Sequence, residues 1–446
     1  MKIAILGYGK QGASAYHYFN RNDNQITVCD GGNGENIPKN ISKRLGANYL
    51  VDLHEFDIIV RSPSIHPNQI RTANPDHPEV MEKVTSNTNE FFKVCPAPII
   101  GVTGTKGKGT TSTLIYEILK AAGYRAHLGG NIGIPPLDML KENIKQNDIV
   151  VLELANFQLI DLKYSPKTSV CLGVYPEHLD WHKDIYEYIH AKQQMFAHQT
   201  HEDIAIYNAR NEFSEEVASA SHGKKLAFEV PDYGQPPTLN ADVYVDREKI
   251  MFGDTVVCSI NDVALIGWHN LQNVCAAIAA TWYLIKQDKK VIKQVLSSIA
   301  GLPNRLEPVR ELNGIAYIND SFSSGPESTI AAITAVTKPK VLIIGGKDRM
   351  LDLSRLCETI KLYEKQIKKI ILIGESAERV ASNLEAKGFS NFVVSKEKTI
   401  KDIVYLANNN AQSGDAIVLS PGFPSFDMFK DFEDRGNQFR AVVKAL

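Results

Sequence analysis

Short, unbroken apolar runs recur along the chain, each followed by a turn and then by helical spacing. KIAIL (2–6), QITVCD (25–30), FDIIV (56–60), PIIGV (98–102), NDIVVLEL (147–154), KTSVCLGV (167–174) and EDIAIYNA (202–209) are the earlier ones. IAYIND (315–320), PKVLIIGG (339–346), KIILIG (369–374) and AIVLSPG (416–422) follow. Runs of this length without polar alternation are what strands buried on both faces require. They alternate with helical stretches such as DIYEYIHAKQQMFAHQ (184–199), which predicts parallel, doubly wound sheets and an α/β fold. Residues 222–262 break the rhythm and read as short antiparallel strands and turns, after which GWHNLQNVCAAIAATWYLI (267–285) restarts a helix. No short repeat is visible; the repetition is at the level of whole domains. Three units are expected: 1–95, a Rossmann-like domain; 96–300, a central parallel-sheet domain of the P-loop type; and 301–446, a second Rossmann-like domain.

Two strand-to-helix turns carry glycines. The first is Gly7-x-Gly9-x-x-Gly12, followed by a strand that ends at Asp30. This is the dinucleotide-type fingerprint, in which glycines let backbone approach phosphate and an acid meets ribose or base. Gly7, Gly9, Lys10, Gln11, Gly12 and Asp30 would line such a pocket, with Ser62 at the carboxyl end of a neighbouring strand. A tight turn alone would use the same glycines. The second turn lies in PIIGVTGTKGKGTTSTLIYEIL (98–119), where strand, glycine-rich loop and helix follow in order. Loop N–H groups and the helix N-terminus attract phosphate oxygens there. Gly104, Thr105, Lys106, Gly107, Lys108, Gly109 and Thr110 form the expected cradle, with Lys108 at the β/γ-phosphates. The loop departs from G-x-x-x-x-G-K-[ST], because Gly109 holds the hydroxyl position and Thr110 comes one residue late.

Composition narrows the classes. With 43% hydrophobic and 22% charged residues in 446, the chain has ample core. A net charge of −2 gives no argument for nucleic acid or a membrane surface as partner. The six cysteines are scattered and never spaced CxxC, as expected of buried thiols in a reducing cytoplasm. The opening MKIAILGYG reads as strand and turn rather than a secretion signal, and no apolar run has the roughly 18 residues of a membrane span.

Further segments, in order, carry a resemblance: LGGNIGIP (128–135), VLELANFQL (151–159), PEHLDWH (176–182), the Lys192 helix, GWHNLQN (267–273), LPNRLEPV (302–309) and NDS (319–321). With GVTGTKGKGTT (101–111), this set resembles the Mur ligase family of ATP-dependent amino acid ligases of bacterial cell-wall synthesis. The ending SPGFPSFDMFKDFEDRGNQF (420–439) is most similar to the branch that adds D-glutamate to UDP-N-acetylmuramoyl-L-alanine. The resemblance implies ATP and Mg²⁺ (two ions), an acyl phosphate on the UDP-linked substrate, glutamate as the incoming amine, and a cytoplasmic monomer.

By the same resemblance Lys108, Glu153, His178 and Lys192 are catalytic, and Thr110, Glu153, His178 and Lys192 hold metal. Lys192 would be carbamylated; taken alone, its helix suggests an exposed lysine. Asn270, Asn273, Arg305 and Asp320 would complete the ATP site. Asn131 and Gln158 would join the UDP-substrate residues, and Ser324, Arg349, Ser425 and Phe432 would hold the amino acid. Three departures bear on this. Ala155-Asn156 stands where the family commonly has a Ser pair, Phe322 stands where the D-glutamate branch has a lysine, and Arg349 replaces another lysine. They leave two alternatives: the same ligase chemistry with another amino acid such as L-glutamate, or a catalytically impaired nucleotide-binding scaffold.

Overall fold

A computed structural model describes residues 1–21, 23–238, 240–299, 301 and 303–446. Leu302 of the LPNRLEPV segment lies outside them. The chain forms two compact units, Met1–Asp262 with Leu271–Val295, and Val263–Asn270 with Leu296–Leu446.

The first unit holds two sheets. One comprises β1 (Lys2–Leu6), β2 (Gln25–Asp30), β3 (Ser42–Leu45), β4 (Ile58–Arg61) and β5 (Val84–Ser86), in the order β3-β2-β1-β4-β5. All its pairings are parallel. The other comprises β6 (Ile99–Thr103), β7 (Ala126–Gly130), β8 (Ile149–Glu153), β9 (Thr168–Cys171), β10 (Ile204–Asn208), β11 (Lys224–Glu229), β12 (Val243–Asp246), β13 (Lys249–Phe252) and β14 (Thr255–Ser259). Its order is β14-β13-β12-β11-β10-β9-β6-β8-β7. Every residue of β6 and β8 is buried, as their unbroken apolar runs demand. The expectation for 222–262 needs correction. β11 pairs parallel to β10, and β12 parallel to β11; only β12, β13 and β14 run antiparallel.

The second unit holds β15 (Glu307–Leu312), β16 (Ile315–Asn319), β17 (Lys340–Gly345), β18 (Ile367–Ile373), β19 (Phe392–Val394) and β20 (Ala416–Leu419), in the order β15-β16-β20-β17-β18-β19. Only the β15–β16 pairing is antiparallel. Apolar clusters line both faces of this sheet. Among the described residues no helix is long and apolar enough to cross a membrane. The cysteines are free, five of them buried and Cys95 half-buried.

Candidate active site

In the first unit the loop after β6 runs into the helix Lys108–Ala121, so backbone N–H groups at its start are left without helical partners. Gly104 (φ +141°) and Gly107 (φ +87°) let the loop close. A Cβ on Gly107 would lie 2.2 Å from Asn273 Oδ1, and one on Gly104 2.7 Å from Leu172 Cβ. Lys108 Nζ curls back to the carbonyls of Gly104 (3.1 Å) and Thr105 (3.0 Å). Lys106 reaches Glu177 at 2.8 Å. Thr111 is buried, and its hydroxyl donates to Asn273 Oδ1 at 3.2 Å. Its neighbour Thr110 is only half-buried.

Lys192 departs from the exposed lysine that its helix suggests. It is 0% exposed, because the helix Ile185–Ala197 turns this face inward, where Met195 lies against Gly101. Its Nζ donates to Gly104 O at 3.2 Å and lies 4.4 Å from the centre of the Tyr188 ring. Burial, with the nearby Lys108 charge, pulls its pKa down to about 7. Two lysine side chains therefore meet at one loop carbonyl.

Glu153 ends β8, 3% exposed, and its carboxylate accepts from Asn131 Nδ2 at 2.9 Å. His178 sits in a left-handed turn (φ +59°), half-exposed, its ring 4.8 Å from Phe157. Partial burial lowers its pKa. Of these groups the buried Glu153 carboxylate is the kind of oxygen ligand that suits a hard divalent cation. The glycine loop with Lys108 fits a polyphosphate.

The first sheet gathers the other glycine turn. Gly12 packs so tightly that a Cβ would lie 2.0 Å from Gly7 O. Ser62 Oγ donates to that same carbonyl at 3.1 Å. Asp30 accepts from Tyr8 N (2.9 Å) and Gly32 N (2.8 Å), which staples the turn. Gly9 caps the helix Lys10–Phe19; Lys10 is exposed, and Gln11 Nε2 donates to Gly130 O at 3.3 Å. Gln158 is buried and committed locally, its Oε1 accepting from Ala155 N at 3.0 Å.

In the second unit Asn270 opens the helix Asn270–Thr281, its side chain donating to Ile266 O at 2.7 Å. Asp320, just past β16, accepts from Leu306 N and from the hydroxyls of Ser323 and Ser420. Burial outweighs these bonds and raises its pKa to about 6. The Arg305 guanidinium stacks 3.7 Å over the Phe322 ring, which meets Phe432 edge to face at 4.9 Å. Ser425 is buried at a turn, whereas Ser324 and Arg349 are exposed.

The Mur ligase middle domain family matches residues 102–281, and the Mur ligase, glutamate ligase domain family matches residues 304–423. A UDP-N-acetylmuramoylalanine–D-glutamate ligase of Clostridium kluyveri is 35% identical over 461 residues, covering 100% of this chain and 97% of that protein. The chain belongs to the Mur ligase family. Enzymes of the same name from Clostridium tetani (34% identical, 97% of its length) and Acetivibrio thermocellus (35%, 96%) also match the whole chain. Among solved Mur ligases, the UDP-N-acetylmuramate–alanine ligase of Thermotoga maritima shares the fold with a TM-score of 0.61 at 13% identity, covering 100% of this chain and 99% of its own. A MurF ligase of that organism, solved with ADP, gives 0.60 at 16%, covering 99% and 94%.

Thr105 is expected in the cradle from the sequence, but its partners, and the roles of Arg61, Arg435 and Gly436, gave no signal there. Thr105 Oγ1 bonds Tyr175 O, Tyr175 N and the Tyr188 hydroxyl, tying the loop after β6 to the one after β9. Arg61, fully buried, grips Asp161 with two nitrogens and also donates to Phe157 O. Arg435 is buried under Ser321 and Phe423, both of whose carbonyls it holds. Gly436 leaves room for Asn304: a Cβ there would lie 1.8 Å from Asn304 Oδ1. The NDS and DRG segments that hold Asn319, Arg435 and Gly436 were conspicuous, but their mutual contact was not.

Proposed function

We propose that the chain is an ATP-dependent amide-forming ligase that joins D-glutamate to UDP-N-acetylmuramoyl-L-alanine in peptidoglycan precursor synthesis. The observation that carries this is the end-to-end similarity to ligases of that name, at 33–35% identity. The site chemistry supports it. In this reading the γ-phosphoryl group of ATP passes to the substrate carboxylate, leaving ADP and an acyl phosphate. The glutamate amine then attacks the acyl carbon, an amide bond forms, and phosphate leaves with the C–O bonding pair.

Each residue has a part in that reading. Lys108 and the start of its helix neutralise the β/γ-phosphates, and Arg305 the γ-phosphate. Asn270, Asn273 and Asp320 hold the adenosine. Gly7, Gly9, Lys10, Gln11, Gly12, Asp30 and Ser62 cradle the UDP group, with Asn131 and Gln158 near the muramoyl arm. Thr110, Glu153, His178 and Lys192 would hold Mg²⁺, which supplies charge neutralisation for the transferring group. A lysine with a pKa near 7 is about half uncharged at pH 7, so its amine can add to CO₂; the new N–C bond costs one proton and leaves an anionic carbamate. The amino acid side comprises Ser324, Arg349, Ser425 and Phe432. Residues 1–95 serve the UDP substrate, 96–300 serve ATP and 301–446 the amino acid; the enzyme acts as a cytoplasmic monomer. Phe322 beneath Arg305 favours a second reading, in which the amino acid differs.

The test is phosphate release with Mg²⁺, ATP and UDP-N-acetylmuramoyl-L-alanine against a panel of amino acids. Turnover with D-glutamate is expected. Turnover only with L-glutamate or another amino acid would keep the ligase and replace its substrate, and no turnover with any would refute the reading.

A further inference from the structure

The first unit contains a polar junction that the chemistry above does not use. Glu187 stands in the first turn of the helix Ile185–Ala197. Its Oε2 accepts from Lys183 N at 2.8 Å, and lies 3.3 Å from His66 Nε2 and 3.4 Å from His182 Nδ1. The three side chains come from separate places: His66 from the turn after β4 in the first sheet, His182 from the loop that also bears His178, and Glu187 from the helix that later bears Lys192.

Proton positions follow from the neighbours. His66 Nδ1 accepts from Asn68 N at 3.1 Å, so the neutral ring carries its proton on Nε2 and donates to Glu187. His182 is 2% exposed, with Nε2 2.7 Å from Asn156 Nδ2. With the amide donating to Nε2, Nδ1 keeps the proton and lies near the same carboxylate, a charge–dipole contact rather than an aligned hydrogen bond. Two histidines and a glutamate so close are also a set of metal ligands. The Asn68 bond argues against a bound ion. A ring that gives Nε2 to a cation must carry its proton on Nδ1, where it would face the Asn68 N–H.

The junction reaches the active-site loop through short links. His178 O accepts from Trp181 N (3.1 Å) and His182 N (2.9 Å), closing the turn that keeps His178 at positive φ. Trp181 Nε1 donates to Ser64 O at 3.3 Å, and its ring packs 4.4 Å from His66 and 4.8 Å from Phe157, on which His178 rests.

We propose that Glu187 is a positioning residue of the ligase reaction: through His182 and His66 it fixes the loop of His178 between the first sheet and the Lys192 helix. Its effect on turnover rests on the ligase reading; its effect on the loop does not. The experiment uses the full chain with E187Q, E187D and H66A, and has three arms.

In amide exchange, the segment 177–184 should exchange at least about tenfold faster in E187Q and H66A, with β6 unchanged. In steady-state kinetics, E187Q should lose about 10- to 100-fold in kcat, the range typical when a partner that orients a catalytic ligand is removed. The KM for ATP should stay within about twofold, and E187D should recover most of the rate. Metal analysis of the purified wild type should find no transition metal held at stoichiometry. Unchanged exchange in both variants would overturn the proposal. So would faster exchange throughout the unit, wild-type kcat in E187Q, or a stoichiometric metal that E187Q releases. An inactive wild type would sink the ligase reading alone, and the exchange arm would still decide the junction.

Discussion

Replacing Lys192 by methionine tests the buried amine without asking for activity. Burial and the Lys108 charge pull its pKa from 10.5 to about 7, with Cys171 and Glu177 offsetting part of the effect. At about 1.4 kcal/mol per pH unit, the charged form costs the folded state about 5 kcal/mol. Below pH 7 both folded and unfolded chains carry the proton, and the whole cost is felt. Between about 7 and 10.5 the unfolded chain holds a proton that the folded one lacks, so folding gains about 1.4 kcal/mol per pH unit. Above 10.5 the cost is gone. K192M removes the charge, keeps an unbranched side chain and loses one hydrogen bond to Gly104 O, a loss of about 1 kcal/mol. It should therefore be more stable than wild type by about 4 kcal/mol at pH 6 and by about 1 kcal/mol at pH 9, while losing ligase activity. Urea denaturation of both proteins in CO₂-free buffer at several pH values measures this. A stability difference that stays constant from pH 6 to 9, or a wild type more stable at pH 6, would refute the reasoning.

Two further substitutions probe the frame of the site. G107A forces a side chain into left-handed backbone, about 1–2 kcal/mol, and drives its Cβ into Asn273, breaking the Thr111 bond for about 1 more. Stability should fall by about 2–3 kcal/mol and the KM for ATP should rise at least tenfold; an unchanged KM would mean the loop does not cradle phosphate. R61M leaves Asp161 and the Phe157 carbonyl without their buried cation, and since Asp161 keeps some solvent the loss belongs near the low end for a broken pair, about 3 kcal/mol by chemical denaturation. A loss below about 1 kcal/mol would mean that water replaces the guanidinium easily.

The strands with continuous apolar runs were legible because burial on both faces leaves no room for polar alternation, as in β6 and β8. The short edge strands β5 and β19 had too few residues to announce themselves. The direction of β11 and β12 depends on which strand they lie beside, a long-range fact that local pattern does not hold. Both glycine turns were legible, since the close approaches at Gly12 and Gly107 exclude any side chain. The burial of Lys192 was not: a lysine within IHAKQQMF looks solvated until the helix face that meets Gly101 is known. Nor could Arg61 and Asp161, a hundred positions apart, be paired from the chain alone.

The contact between Gly436 and Asn304 constrains how the chain can drift. The carboxamide occupies the volume that a methyl group on residue 436 would need, and it accepts from Asn319 Nδ2 at 2.9 Å. A first step at either position is thus costly while the other stays as it is. Exchange of Gly436 for alanine becomes acceptable only in a background where position 304 has already shrunk, and a shrunken 304 takes from the Asn319 amide the shortest of its three hydrogen bonds. The two sites form an epistatic pair, far apart in the chain, whose history should show both changing together or neither changing at all.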